Sequence, residues 1–267
     1  MIKAVVTGVA GRMGSRIINV LSTSDGIALS GGLERKGHAL LGQDAGGPAG
    51  LPATGVKISD DLVAALKAGD VLIDFTTPET SLEHLRLCAE QGKSAVIGST
   101  GFTKEQLAVV NTYVQKIPCV LSPNMSIGVN LTFKVLAEVA RTLGDDYDIE
   151  IVEAHHRMKK DAPSGTAMKM AQVLAEAVNR NLDEVGVYAR KGMIGERSKK
   201  EIGIQTLRGG DIVGEHTVMF AGKGERIEIT HRAHSRDTFA AGAVRAARWI
   251  VGKKPGLYDM QDVLGLR

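Results

Sequence analysis

Short apolar segments alternate with helical patterns through the first half of the sequence, and this alternation most constrains the fold. The strand-like segments are residues 2–7, 27–34, 71–75, 94–97 and 119–121. Between these segments, apolar residues recur at helical spacing over residues 13–22, 81–91 and 104–115. The glycine-rich residues 37–55 are predicted to be a loop. Strands that alternate with helices of this length form parallel βαβ units. The sequence therefore predicts an α/β fold with a Rossmann-like, doubly wound parallel sheet.

The pattern changes after residue 124. A long helix at about 128–143 leads to a strand at 148–154, and later come three successive strands, at residues 202–207, 214–221 and 225–230. Strands joined by short turns favour antiparallel pairing. The sequence therefore predicts a second domain of α+β type, over residues 127–235, after a first domain over residues 1–126. Periodicity alone would allow the last helix, about 237–251, to join either domain.

The first predicted strand runs directly into the sequence Gly8-Val-Ala-Gly-Arg-Met-Gly14, which precedes an amphipathic helix. Glycines at such a turn allow the backbone to approach a pyrophosphate and the helix to pack tightly on the strand. Glu34 ends the second strand, twenty residues after Gly14, where an acidic side chain typically holds ribose hydroxyls. The alternative is a glycine-rich turn that binds nothing. The strand before the turn and the helix after it favour a nicotinamide dinucleotide site.

Arg35 follows Glu34 directly. A glutamate favours a free 2′-hydroxyl on the cofactor, whereas a guanidinium pairs with a 2′-phosphate. The two together predict that NADH and NADPH both serve as cofactors.

Three more loops follow predicted strands of the first half, at residues 74–78, 98–101 and 122–125. In doubly wound sheets, ligands bind at the carboxyl ends of the strands. Each loop by itself is as consistent with a plain turn as with a ligand contact. Their common position at one edge of the sheet predicts contacts with the cofactor, with Thr76 near its adenosine side.

The sequence Glu153-Ala-His-His-Arg-Met-Lys-Lys-Asp-Ala-Pro-Ser-Gly-Thr-Ala167 places two histidines and two lysines just before a predicted helix. Ser164 is the predicted N-cap of that helix, and the free N–H groups of a first turn bind anions well. Histidine is able to exchange a proton near neutral pH. Inert surface histidines are the alternative. The combination of proton donors with an anion cradle predicts acid–base chemistry on a small anionic substrate.

Several classes of protein are disfavoured. A net charge of +3 and an aromatic content of 4% give little basis for nucleic-acid binding. Adjacent histidines on a strand point to opposite faces, so no metal site is predicted. The apolar surroundings of Cys88 and Cys119 predict buried free thiols. No signal peptide and no apolar run of membrane-spanning length is present, which favours a cytoplasmic enzyme.

These motifs together resemble the 4-hydroxy-tetrahydrodipicolinate reductase (dihydrodipicolinate reductase) family. The block at 153–167 matches the family signature, in which two histidines and a lysine precede D-A-P-S-G-T. The resemblance continues through the glycine motif, Glu34-Arg35, the loops at 98–101 and 122–125, and residues 235–239, so it covers essentially the whole chain. The sequence departs from the family at Thr77, where relatives often carry arginine near the adenosine phosphate. This departure weakens any expectation of a strong NADPH preference.

The resemblance implies an NAD(P)H-dependent reductase of diaminopimelate and lysine biosynthesis, which converts 4-hydroxy-tetrahydrodipicolinate to tetrahydrodipicolinate and water. It implies that residues 1–126 bind the dinucleotide and are rejoined by residues 236–267. Residues 127–235 would bind the substrate and form a homotetramer. It also implies that His155 is the catalytic proton donor or acceptor and Lys159 the second proton donor, and that His156, Gly165 and Thr166 hold the carboxylates of the cyclic substrate.

The implied cofactor-binding residues lie in four segments of the first domain: Gly8, Val9, Ala10, Gly11, Arg12, Met13, Glu34, Arg35, Gly98, Ser99, Thr100, Ser122, Pro123, Asn124 and Met125. Two other functions share the glycine motif, namely another two-domain NAD(P)-dependent dehydrogenase of amino-acid metabolism and a non-catalytic nucleotide sensor. Neither explains the block at 153–167. The sequence leaves open whether dehydration precedes reduction, and which of His155 and Lys159 supplies the decisive proton.

Overall fold

The chain forms two compact units in the computed structural model, which describes residues 1–267. Unit 1 comprises Met1–Ile127 and Arg236–Arg267, and unit 2 comprises Gly128–Ser235. The last long helix, whose periodicity fitted either domain, belongs to unit 1. No helix is long and apolar enough to span a membrane.

Unit 1 is built on a seven-stranded sheet in the order β12-β6-β5-β4-β1-β2-β3. Its strands are β1 (Ile2–Thr7), β2 (Ile27–Leu33), β3 (Ile58–Ser59), β4 (Val71–Asp74), β5 (Ser94–Ile97), β6 (Pro118–Leu121) and β12 (Gly256–Tyr258). All neighbouring strands are parallel. The strand order reverses between β1 and β4, so the predicted doubly wound sheet is confirmed.

The helices of unit 1 cover both faces of this sheet. They are α1 (Gly14–Ser22), α2 (Leu62–Ala68), α3 (Pro78–Gln91), α4 (Lys104–Tyr113), α8 (Asp237–Ile250) and α9 (Met260–Leu264). Alternate residues of β1 enter different apolar clusters. Ala4 and Val6 join the cluster that contains α1 and α8, whereas Val5 joins the cluster that contains α2, α3 and α4. A sheet buried on both faces explains why its strands are continuous apolar runs.

Unit 2 contains a five-stranded mixed sheet in the order β11-β10-β7-β9-β8. The strands are β7 (Asp148–His155), β8 (Gly186–Val187), β9 (Ile202–Arg208), β10 (Gly214–Ala221) and β11 (Arg226–Ala233). The helices are α5 (Ile127–Leu143), α6 (Gly165–Ala177) and the short α7 (Leu182–Val185). Burial alternates strictly along β7. Its inward residues Ile149 and Ile151 pack in one cluster with α5 and α6, so only one face of the sheet meets these helices.

The pairing of β9 differs from the prediction. We expected successive strands to pair antiparallel, which is confirmed for β10 with β11 but is wrong for β9 with β10. Instead, β7 lies between them and pairs in parallel with β9. The connection after β9 crosses the end of β7, where Gly209 donates its N–H to the carbonyl of His155 and His156 donates to Ile212. These bonds to β7 replace those of a hairpin.

Sequence patterns missed several short elements and shifted some boundaries. The six that were missed, α2, α7, α9, β3, β8 and β12, are between two and seven residues long, too short for periodicity to show. Helix α3 begins at Pro78, before the predicted start at residue 81, because Thr77 caps it and proline suits a first turn. The predicted loop at 37–55 contains no strand and no α-helix, only the 3-10 turn Gly47–Ala49 and an isolated bridge from Asp44 to Lys57.

Candidate active site

The glycine motif forms the turn between β1 and α1, at the carboxyl end of β1 where the strand order reverses. Only glycine fits at Gly14, because a Cβ there would lie 2.1 Å from the carbonyl oxygen of Gly8 and 2.8 Å from Val9 Cα. Helix α1 has no side-chain cap at its N-terminus. No side chain therefore occupies its first-turn N–H groups, which favours an anion there, although Ser15 donates its own N–H to the carbonyl of Gly11. With Ala10, Gly11 and Arg12 exposed beside them, this turn fits a pyrophosphate.

Glu34 lies against the glycine turn, since its Oε1 accepts the N–H of Ala10 at 2.8 Å. Arg35 and Lys36 follow at the rim of a cavity of about 350 Å³ that Glu34 also lines. Thr76 contributes to the same cavity, in agreement with the predicted adenosine side. Two carboxylates, Glu34 and Asp60, and the two cations line this one cavity, and the pairing of Glu34 with Arg35 fits the ribose end of a dinucleotide. Lys36 was not singled out from the sequence, although it follows Glu34 and Arg35 directly.

A buried carboxylate supports the wall of this cavity. Asp74 Oδ1 accepts the N–H of Thr76 at 2.8 Å and its hydroxyl at 2.7 Å, and Oδ2 lies 3.0 Å from His84 Nδ1. Burial alone would raise the pKa of Asp74, but the hydrogen bonds of His84 and Thr76 outweigh it and lower the pKa. Asp74 therefore stays ionised and holds three residues that line the cavity, Thr7, Thr76 and His84. Sequence reasoning missed His84, which lies on the helix that follows the 74–78 loop.

The loops after β5 and β6 are held by their own side chains. Ser99 is buried with its Oγ 2.7 Å from Ser81 Oγ, and the Ser122 hydroxyl donates to the carbonyl of Asn124 at 2.9 Å. Met125 is 1% exposed and belongs to the apolar core. The side chains of Ser99, Ser122 and Met125 therefore shape these loops. The exposed side chains among the predicted cofactor residues here are Thr100 and Pro123.

In unit 2, His155 ends β7 and is held by a buried carboxylate. Its Nδ1 lies 2.6 Å from Oε2 of Glu153, which is fully buried. Arg208 donates to both oxygens of Glu153, from Nη1 at 2.8 Å and from Nη2 at 2.9 Å. Burial raises the pKa of Glu153, but the hydrogen bonds of His155 and Arg208 prevail and lower it to about 2. Glu153 is therefore a carboxylate at neutral pH.

Lys159 lies in the loop after β7, and its Nζ is 2.9 Å from Oδ2 of Asp161. The carbonyl of Asp161 accepts a hydrogen bond from Arg208 at 2.7 Å. Contacts thus run without a break from Lys159 through Asp161, Arg208 and Glu153 to His155. The two predicted proton donors therefore share one connected group of polar residues.

The start of α6 joins the same group. Ser164 caps the helix, since its Oγ accepts the N–H of Ala167 at 3.2 Å, and its own N–H donates to Glu153 Oε1 at 2.9 Å. Gly165 and Thr166 follow as the first residues of the helix. The predicted carboxylate-binding residues are therefore anchored to the carboxylate that holds His155. His156 is half-buried just after β7, and its backbone N–H is bonded to Ile212.

His216 is a further buried histidine at this site. Its Nε2 lies 3.0 Å from Ser164 Oγ, and its ring meets the ring of His155 edge to face, with centroids 5.2 Å apart. Burial and then the neighbouring His155 lower the pKa of His216 to about 3, so His216 is neutral at neutral pH.

Sequence reasoning gave no role to Glu153, Arg208 or His216. Glu153 precedes His155 by two residues on a strand, which puts both on one face, and this signal was available. The register of the strands places the other two residues, Arg208 and His216, at this site. Arg208 pairs with His155 across β7 and β9, and His216 pairs with Glu153 across β7 and β10.

Comparison with known proteins gives matches over both parts of the chain. The family model for the N-terminus of dihydrodipicolinate reductase matches residues 2–125, and the model for its C-terminus matches residues 128–264. The chain belongs to the dihydrodipicolinate reductase family. The 4-hydroxy-tetrahydrodipicolinate reductases of Geotalea uraniireducens (strain Rf4) and Geobacter sulfurreducens (strain ATCC 51573 / DSM 12127 / PCA) are 63% and 62% identical, over 100% of both chains.

Solved structures show the same fold. The dipicolinate-bound dihydrodipicolinate reductase from Paenisporosarcina sp. TG-14 is 26% identical, with a TM-score of 0.75 over 98% of each chain. The DAP dehydrogenase of C. glutamicum is 12% identical, with a TM-score of 0.54 over 97% of this chain and 92% of its own, and shares the fold alone. Family membership confirms the predicted reductase of diaminopimelate and lysine biosynthesis, with NADH or NADPH as cofactor.

Proposed function

We propose that unit 1 binds NADH or NADPH, that unit 2 binds 4-hydroxy-tetrahydrodipicolinate, and that His155 and Lys159 supply the proton of the reduction. The observation that carries this proposal is the environment of His155. Its Nδ1 is bonded to a buried, ionised carboxylate that also binds the start of α6. An acid–base group is thereby fixed beside an anion-binding helix start.

Unit 1 offers backbone and charge to the dinucleotide. Residues 8–13 cradle the pyrophosphate, and Glu34 and Arg35 contact the ribose end. The loops at 98–100 and 122–125 flank the nicotinamide, which supplies the hydride when bound. The uncapped start of α1 and the cavity beside Glu34 support this assignment.

Unit 2 offers hydrogen-bond donors and positive charge to a cyclic dicarboxylate. The N–H groups of Gly165 and Thr166, the Thr166 hydroxyl and His156 hold its carboxylates. The start of α6 attracts negative charge, and exposed cations precede it at Arg157 and Lys160. The Paenisporosarcina structure, which contains dipicolinate, supports a ring of this class.

His155 and Lys159 balance the charge that the hydride brings to the ring. Because Glu153 occupies Nδ1 of His155, Nε2 is the nitrogen that exchanges a proton with the substrate. Lys159 contacts Asp161 at 2.9 Å in the free protein, so its ammonium changes partners when it reaches the substrate.

We also propose a homotetramer formed through the open face of the unit 2 sheet. Residues on that face of β7 are only half-buried. On β9, Leu207 pairs with Ala154 and is 55% exposed. An apolar residue of this size on an open sheet face favours contact with another copy. Because the reductase serves biosynthesis and both cysteines are buried free thiols, we assign the protein to the reducing cytoplasm.

The loss of NADH or NADPH absorbance with freshly prepared substrate tests the activity. Lys159→Ala is expected to lower kcat by about 10² or more, because it removes a proton donor. Its Kd for NADH should be unchanged. Lys223→Ala, at an exposed lysine in the turn between β10 and β11, is the control and should turn over normally. Near-normal turnover in the Lys159 variant would refute its role.

A further inference from the structure

Glu153 is the most connected carboxylate of unit 2, and the reaction itself does not use it. Its Oε1 accepts from Ser164 N, Arg208 Nη2 and, at 3.3 Å, the Thr206 hydroxyl. Its Oε2 meets Arg208 Nη1 at 2.8 Å and His155 Nδ1 at 2.6 Å. Both oxygens are thus saturated, and the side chain is inaccessible to solvent. A carboxylate buried this completely persists only because its charge is matched and its lone pairs are filled.

An ionised carboxylate accepts hydrogen bonds and donates none. Nδ1 of His155 must therefore carry the hydrogen of the contact at 2.6 Å. In the neutral ring this leaves Nε2 bare, and in the protonated ring Nε2–H becomes the donor. Glu153 thereby selects the tautomer of His155 in its neutral form.

Glu153 also binds the start of α6. The Ser164 N–H is held by Oε1, and the Ser164 hydroxyl caps α6 and contacts His216. Ser164 thus has its main chain bound to Glu153 and its side chain bound to the helix. The position of Gly165 and Thr166 therefore depends on the same carboxylate that orients His155.

We propose that Glu153 is a positioning residue that links the proton donor to the carboxylate cradle, by setting the tautomer of His155 and fixing the start of α6. This inference rests on the proposed roles of His155 and of Gly165 and Thr166. Arg208 supports this arrangement, because its bidentate contact with both carboxylate oxygens neutralises the charge of Glu153.

The charged and titratable groups that face His155 come from several elements. Glu153 lies on β7, Arg208 on β9 and His216 on β10, while Lys159 and Asp161 lie in the loop before α6. His216 stays neutral because of its burial. Glu153 is therefore the anion in direct contact with the imidazole.

The tautomer of His155 is measurable in the ligand-free wild-type protein by ¹⁵N NMR of the ring nitrogens. We expect the hydrogen on Nδ1 of the neutral ring. In Glu153→Gln, the amide group turns its NH₂ to Nδ1 and keeps its oxygen on Ser164 and Arg208. The hydrogen of the imidazole then moves to Nε2. A wild-type ring with its hydrogen on Nε2 would overturn the proposal, and this measurement requires no variant to fold.

Kinetics test the effect of Glu153 on His155 separately from its effect on the start of α6. Glu153→Gln should lower kcat by about 10² through His155 and leave inhibition by pyridine-2,6-dicarboxylate unchanged, because its oxygen still accepts the Ser164 N–H. Glu153→Ala, which loses that contact too, should also weaken this inhibition about tenfold through α6. The Kd for NADH should be unchanged in both variants. Glu150→Gln is the matched control. It also removes a carboxylate of β7 that binds arginines, Arg190 and Arg197, but it leaves His155 untouched.

The outcomes separate this inference from the proposed function. If Glu153→Gln behaves like Glu150→Gln while His155→Ala is inactive, Glu153 has no positioning role and the function of His155 stands. If His155→Ala turns over normally, the proposed proton donor is wrong, and the NMR result still decides whether Glu153 sets the tautomer.

Discussion

Gly214 lies where any larger side chain would meet the imidazole of His155. A Cβ built on Gly214 would lie 3.0 Å from His155 Nε2, the nitrogen that the Glu153 contact leaves free. Gly214 begins β10 and has no left-handed backbone, so its conformation does not call for glycine. The missing side chain therefore leaves room at the reactive nitrogen. At the scale of single residues, the lack of a side chain at Gly214 is therefore a part of the site at His155.

Gly214→Ala should lower kcat by about tenfold or more, because the methyl group displaces the imidazole and a small misplacement of a catalytic group costs up to about 10². Steady-state kinetics measure the effect, and a thermal melt checks the fold. Gly209→Ala is the control, since no atom lies within 4 Å of a Cβ there. Equal kcat values for the two variants would mean that Nε2 needs no such space.

At the same scale, we expect Arg35 to set the preference between NADH and NADPH. Arg35→Ala should raise the KM for NADPH far more than the KM for NADH, because only NADPH carries the 2′-phosphate that a guanidinium binds. The position of Arg35 at the rim of the cavity beside Glu34 supports this expectation. Initial rates with each cofactor measure it, and equal losses for both would contradict it.

At the scale of elements, α6 has two separate tasks. Its apolar face packs into unit 2 through Ala167, Met170, Ala171 and Leu174, each 0% exposed. Its first turn is set by the Ser164 cap, which is tied to Glu153 and to His216. Packing holds the helix, whereas the cap positions the N–H groups that we assign to the substrate.

Ser164→Ala should cost about 1 kcal/mol of unfolding free energy for the lost cap, and more because buried His216 loses its partner at Nε2. It should also raise the KM for substrate several-fold. Thr103→Ala, which removes the cap of α4 in unit 1, should cost a similar cap energy with an unchanged KM. Denaturant titration and kinetics on both variants check this. An unchanged KM in Ser164→Ala would show that the Ser164 cap has no role in substrate binding.

At the scale of the whole molecule, unit 1 depends on both ends of the chain. Helix α8, from the last part of the sequence, contributes Ala240, Ala243, Ala247 and Ile250 to the same cluster as β1 and α1. The chain therefore leaves unit 1, forms unit 2 and returns. Residues 1–127 alone would lack part of their own core.

The proposed homotetramer is also tested at this scale. Leu207→Asp should reduce the molar mass measured by light scattering below that of four copies, because symmetry repeats the buried charge in every subunit. Leu131→Asp is the control, since Leu131 is similarly exposed, at 48%, but lies on α5. A wild-type mass of one copy would contradict the tetramer directly.

The sequence by itself determined the doubly wound sheet, the glycine turn with Glu34 and Arg35, and the helix start at Ser164. These features depend on periodicity, turn chemistry and capping, which act between residues close in the chain. The same local signals placed His155 at the end of a strand. The role of Lys159 came from the family resemblance instead and stays a prediction.

Only the tertiary structure placed β7 between β9 and β10, and only it brought Arg208, His216 and Gly214 to His155. It also buried Ser99 and Met125, two predicted cofactor residues, within unit 1. The reason is strand register. Side chains alternate between the faces of a sheet, so a shift of one residue would turn Arg208 and His216 away from Glu153. Local sequence does not encode that register, because it is set by packing between distant segments.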